Sequence, residues 1–373
     1  MKSVLLEFLS TDKKTIIFVI RQDWEEKNIK DDEPLVFEVD FNEQDITKCV
    51  KEIRGLYDEW KEHNYEHQYL DHIELEERTT FYNIGNKIFS DALMSAIKGY
   101  ELIYFVPFSA LHHLPIHAMR YRDKDIIDIF ACSYLPSASV LQFVNKSKER
   151  PKEFNFKGIG VDFKGELKDF PKECKTIARE PFWNTTESFL LSHATKENFF
   201  ENNKAYNVFH CSTHGHFDKK NPLNSAIMLY IPDRLMPKTT EELDERLNND
   251  VELQNCVVTV NDVIKHLNTS FELVFFSACV TGETKNEAGD ELIGLSRGVF
   301  YSGTKAMILS LFSTLKNATV DNEVHIKNFY RYWIAEKQPK ARAFQQYIQQ
   351  IKSRDRFRHP FYWFSYILIG NPY

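Results

Sequence analysis

Two short apolar runs that end in reactive residues constrain this chain more than any other feature. Tyr206-Asn207-Val208-Phe209 leads into His210-Cys211-Ser212-Thr213-His214-Gly215, and Leu273-Val274-Phe275-Phe276 leads into Ser277-Ala278-Cys279-Val280-Thr281-Gly282. Both runs have strand composition, so each motif is placed where a strand ends. Ligands of an open α/β sheet gather outside the carboxyl ends of its parallel strands, so neighbouring ends of this kind put His214 and Cys279 over one crevice. The pair reads as a cysteine nucleophile with its histidine base.

The rest of the pattern agrees with an α/β chain. Leu5–Phe8 and Thr15–Ile20 predict a hairpin around Thr11-Asp12-Lys13-Lys14. Ile46, Val50, Ile53, Tyr57 and Trp60 keep helical spacing, as do Ile326, Phe329, Tyr330 and Trp333. Pro339 opens a last helix carrying Phe344, Tyr347, Ile348 and Ile351. Two apolar stripes, Ile84/Ile88/Ala92 and Phe89/Leu93/Ile97, predict one buried helix over 81–97 that ends before Gly99. The charged run 146–153 closes on Pro151 and marks a boundary, giving halves 1–150 and 151–373. Beyond it, strands alternating with helices imply a mainly parallel sheet covered on both faces. Pro232 to Asn255 departs from this: rich in Glu and Asp, it reads as an exposed acidic loop or insertion, with a flap beside the crevice as its second reading.

Composition narrows the function classes. With 373 residues and 43% apolar content, the chain can bury a large core. A net charge of −7 leaves no electrostatic footprint for direct nucleic-acid binding. No run reaches the length of a membrane span, so direct membrane contact is not expected. The six cysteines are scattered without paired spacing, and Glu7 interrupts the start before a signal-like apolar core forms. A cytoplasmic protein without disulfides is the expectation.

The chemistry asks for specific groups. A thiolate attacks, an imidazole carries the proton to the leaving amine, and backbone amides near glycine stabilise the oxyanion. His210 and His216 lie on the same side as His214 if that segment is extended, which leaves a zinc site with Cys279 as an alternative. No CxxC pair or HExxH accompanies it, and we expect neither metal nor cofactor. Asp290 and Glu291 open a predicted helix, where capping competes with a substrate role. His112 and His113 read as structural.

These motifs, together with Gly289–Leu295, His359–Trp363, Ile369–Pro372, Tyr104–Pro107, Leu111–Pro115 and Tyr134–Ser137, resemble a CHAT domain, a caspase-like peptidase family related to separase. Its members often stand beside TPR repeats, and no such helix-pair repeat is readable here. The resemblance implies a caspase-like, mainly parallel sheet flanked by helices in a catalytic half, 151–373, preceded by a noncatalytic α/β half in 1–150. It implies a cysteine endopeptidase that cleaves a protein substrate, with the oxyanion hole from the amides of Gly215 and Cys279. The context it implies is a bacterial antiviral defence or signalling effector switched on by a regulatory protein or complex. The alternative is a catalytically inactive interaction module. The chain departs from related patterns in its specificity region: Ser277 stands where metacaspase-type enzymes carry Asp, and after Ala306–Leu311 the sequence reads Phe312-Ser313-Thr314-Leu315-Lys316 where CHAT relatives tend to be acidic. Ser277, Phe312, Ser313 and Lys316 are therefore candidate pocket residues, and Asp218, Glu283 and Asp290 are acids that could reach the pocket from other loops. A basic residue before the scissile bond is not expected.

Overall fold

The computed structural model describes residues 1–21, 33–63, 67–70, 75–141, 150–162, 169–216, 222–267, 269–280, 298–312 and 322–373. The chain divides into two compact units, one of Met1–Lys148 with Gln338–Tyr373 and one of Glu149–Lys337.

In the first unit, Ser3–Ser10 and Thr15–Arg21 form the expected antiparallel hairpin, and Leu35–Val39 adds an antiparallel edge strand that the sequence reading missed. On the other side of Ser3–Ser10 lie Leu102–Val106 and Ala131–Tyr134, both parallel. Helix Glu43–Glu62 buries Ile46, Val50, Ile53, Tyr57 and Trp60, the predicted face. The single helix expected over 81–97 is two, Phe81–Ile88 and Asp91–Ala96. Ser90 is extended between them, and its hydroxyl accepts from the Leu93 amide, starting a new helix. The second turn direction leaves Ala92 exposed while Leu93 and Ile97 are buried, so one of the two apolar stripes never forms a face.

Residues 338–373, assigned by sequence to the second half, belong to the first unit. Strand Tyr366–Gly370 runs parallel to Ala131–Tyr134, and Ser133 donates to the Gly370 carbonyl at 2.8 Å. Helix Lys340–Lys352 sends the Gln345 side chain to the Ile127 carbonyl at 2.7 Å. Trp60 stacks on Phe361 at 5.7 Å. The charged run before Pro151 marks where the chain leaves this unit. Its return follows Lys337, which lies in the left-handed region with φ 57°, a conformation no composition shift announces.

Cys49 and Cys132 are buried in this unit, and burial pushes the thiol of Cys49 up to about 12 and that of Cys132 well above the ordinary value. Two histidines are held neutral. Arg54 donates to His113 Nδ1 at 3.3 Å, and His117 Nδ1 lies 2.9 Å from the Tyr134 hydroxyl. Burial first, then the nearby cations, lowers both imidazoles to about 3. Their folded values lie below the unfolded one near 6.5, so the stability they carry is present above pH 6.5 and is lost as pH falls toward 3. Lowering the pH from 6.5 to 5 is expected to cost about 2 kcal/mol per histidine. Urea midpoints at the two pH values test this, and His117→Gln should remove about half of the difference.

In the second unit, five parallel strands lie in the order Thr185–Leu190, Asn155–Gly160, Val208–His216, Leu273–Val280, Ala306–Ser310. This is the mainly parallel sheet the alternation implied. Helix Asp169–Ala178 lies on Asn155–Gly160 and Val208–His216. Gly160 makes that approach possible: a Cβ there would meet Pro171 Cα at 2.9 Å. Lys157 is buried beneath the end of helix Lys196–Phe200, and its ammonium donates to the carbonyls of Phe199 and Glu201 and to Asn203 Oδ1 at 2.8 Å. These are the carbonyls a helix end leaves without partners.

The acidic stretch 232–255 is folded rather than a loop. It contains helices Thr240–Asn249 and Val251–Gln254, following strand Ala226–Met228 and preceding strand Val257–Thr259. Thr239 caps the first helix by accepting from the Glu242 amide. Leu243 and Leu253 join Ala226, Met228, Ile231, Leu235 and Val257 in a small core against which Leu247 packs. Arg246 pairs with Glu242 at 3.2 Å and Asp250 at 2.8 Å. Counting acids hid the i, i+4 spacing of Leu243 and Leu247.

Candidate active site

The strand Val208–His216 extends two residues beyond His214, and its neighbour Leu273–Val280 runs parallel to it. Their register pairs Val208 with Leu273 and, six residues on, His214 with Cys279. Neighbouring strands lie about 4.8 Å apart, so the two backbones bring the pair side by side at the carboxyl ends. His214 is partly exposed, and its ring meets that of Phe170 in a T-shaped arrangement, centroids 6.3 Å apart and planes at 63°. Gly215 pairs with Val280 on one side and with Ile227, antiparallel, on the other, which places it in a strand rather than in a tight turn.

The other two histidines of the motif have separate partners. His210 is fully buried, with Nε2 at 2.8 Å from Glu173 Oε1 and 3.0 Å from Ser212 Oγ, and Nδ1 at 3.0 Å from the Tyr330 hydroxyl. Ser212 donates to the same Glu173 oxygen. Burial, then Glu173, keeps the Tyr330 phenol well above its usual range, so it stays a hydroxyl. His216 Nε2 lies 2.7 Å from Asp244 in the first helix of the insertion. Alternation does put 210, 214 and 216 on one strand face, but two of the three point into separate networks. Among the described residues no group of three or more His, Cys, Asp or Glu side chains gathers as a metal ion would need.

The candidate pocket residues fall in two classes. Ser277 is fully buried, and its hydroxyl has no hydrogen-bond partner among the described residues; Phe312 is buried just after strand Ala306–Ser310, its carbonyl accepting from Ser310 at 2.6 Å. Both side chains are buried. Asp218, Glu283, Asp290, Ser313 and Lys316 lie outside the described residues, as do Gly282 and Glu291. The sequence reading missed Phe170, Glu173, Tyr330 and Asp244 as neighbours of the motif. A signal existed for Glu173, which lies among Phe170, Cys174 and Ile177 on the apolar stripe of helix Asp169–Ala178.

The sequence profile of the CHAT domain family matches residues 83–371. The chain belongs to the CHAT domain family. CHAT domains have a caspase-like protease fold, in keeping with the parallel sheet and flanking helices described above. A search of curated proteins finds no match. Among solved structures, this CHAT protein is similar to the Saccharomyces cerevisiae separase–securin complex, with 10% identity and a TM-score of 0.44 over 73% of this chain. It spans 16% of that matched chain. No helix among the described residues is long and apolar enough to cross a membrane.

Proposed function

We propose that this CHAT domain protein is a cysteine endopeptidase with Cys279 as nucleophile and His214 as proton carrier. One observation carries the reading: the register that sets His214 opposite Cys279 at the carboxyl ends of neighbouring parallel strands, where α/β sheets hold their ligands. His214 takes the thiol proton, and the Cys279 thiolate adds to the scissile carbonyl carbon. The amides of Gly215 and Cys279 are the proposed donors to the resulting oxyanion. Its collapse breaks the C–N bond as the imidazolium gives its proton to the leaving amine. Water, losing a proton to His214, then hydrolyses the thioester and frees the thiol. No cofactor enters these steps.

Its substrate is a protein, and its setting a cytoplasmic antiviral defence or signalling response switched on by a regulatory protein or complex. The net charge of −7 favours a protein partner over direct contact with nucleic acid. The test is mass spectrometry of new protein N-termini in a cell lysate, with candidate activating partners supplied. Cleavage is expected that resists fluorophosphonate, is blocked by iodoacetamide, and is lost in Cys279→Ala and in His214→Ala. Full cleavage by both variants would remove the dyad. A wild type that binds its partner yet cleaves nothing would favour an inactive interaction module.

A further inference from the structure

The buried cluster of Glu173, His210, Ser212 and Tyr330 takes no part in the proposed steps, yet it begins two residues from His214. All four side chains are essentially sealed from solvent. Burying a carboxyl group costs several kcal/mol, and apolar residues of equal volume would hold a helix on a sheet at least as firmly. What hydrogen bonds add is direction. Glu173 Oε1 meets both His210 Nε2, at 2.8 Å, and the Ser212 hydroxyl, so one helix residue is tied to two consecutive inward positions of the strand that carries His214. Tyr330 fixes the far side of the His210 ring at 3.0 Å.

The same helix carries Phe170. Residues three apart on a helix share a face, so the rotation that Glu173 imposes also sets the Phe170 ring, which meets the His214 ring in an edge-type arrangement with centroids 6.3 Å apart. The end of the helix near Phe170 has little freedom to slide, since Pro171 lies against Gly160 with no room for a Cβ. We propose that Glu173 is a positioning residue for His214: it locks helix Asp169–Ala178 to the strand through His210 and Ser212, and Phe170 holds the His214 ring in its working orientation. This rests on the dyad reading above.

The test is the pH profile of Cys279 alkylation by iodoacetamide in the full-length protein, followed by mass spectrometry beside thermal melting. Glu173→Leu is expected to slow alkylation at pH 6.5 at least fivefold and move the profile toward that of His214→Ala. Glu173→Gln, which still accepts from Ser212, should stay within about twofold of wild type. A purely structural Glu173 would lower the melting temperature and leave the profile in place, and that result overturns the proposal. Should Glu173→Leu fail to fold, Phe170→Leu removes the ring alone, and an unchanged profile there overturns it equally. If wild type and His214→Ala already share one profile, the dyad reading fails and this proposal with it. A wild type that differs from His214→Ala while Glu173→Leu matches wild type sinks the positioning role alone.

Discussion

Cys279 is expected to react with iodoacetamide at pH 6 at least 10-fold faster than any other cysteine of the protein, an advantage that disappears in His214→Ala. The contrast follows from where the other five thiols lie. Cys49, Cys132, Cys174 and Cys211 are buried, and burial pushes all four above the ordinary thiol value. Cys256 is partly exposed, yet burial first and then Asp250 raise its thiol as well. Below its pKa a thiol loses about tenfold in thiolate for each pH unit, so Cys256 should slow about 100-fold between pH 8 and pH 6. A thiolate paired with an imidazolium keeps most of its charge over that interval, although its lower basicity returns part of the gain. Labelling rates for each cysteine, read by mass spectrometry, decide the matter. A Cys279 that labels in step with Cys256 across the pH range would be an ordinary thiol.

The second large effect concerns the residue before the scissile bond. Cleavage is expected after apolar residues first and acidic ones second, with Arg and Lys at least 100-fold less efficient. A buried guanidinium needs a carboxylate, and without one the desolvation cost is several kcal/mol, or two or more decades in rate. Position 277 supplies a hydroxyl where metacaspase-type enzymes carry an acid, and that hydroxyl is buried, with no hydrogen-bond partner among the described residues. In the sequence, Lys316 adds a positive charge shortly after the run Ala306–Leu311, and like charge repels a basic side chain. Peptide-library profiling with the activated protein tests the preference. Dominant cleavage after Arg or Lys, abolished by replacing Asp218, Glu283 or Asp290, would reverse it and identify the acid that recognises the base.

How far the site could be read from the chain varies residue by residue. That His214 and Cys279 lie opposite one another was legible because each follows a short apolar run, and strand order in a parallel sheet then leaves few ways to arrange them. The Glu173 helix was not legible as part of the site. Its stripe of Phe170, Cys174 and Ile177 says that one face is buried, but which strand receives it depends on Gly160, fifty positions or more from the His210–Gly215 motif and in a neighbouring strand. His216 shows the same limit: its partner Asp244 belongs to a stretch whose acid content resembled a solvated loop until Leu243 and Leu253 found a shared core.

Local patterning thus determined the strands and most helices, because side-chain periodicity reports burial within one element. It also determined the chemistry available, since a thiol, an imidazole and glycines are fixed by residue type. Only the tertiary structure decided which elements share a unit. Helix Lys340–Lys352 and strand Tyr366–Gly370 return to the first unit through partners such as Ile127 and Ser133, more than two hundred residues away in the chain. Only the tertiary structure, too, divided three histidines on one strand face into a buried hydrogen-bonded ring at 210, a buried ring paired with the half-exposed Asp244 at 216, and the position opposite Cys279 at 214. The physical reason is the same in both cases: a strand's sequence says which face a side chain takes, while its partner comes from whichever distant element the fold lays upon that face.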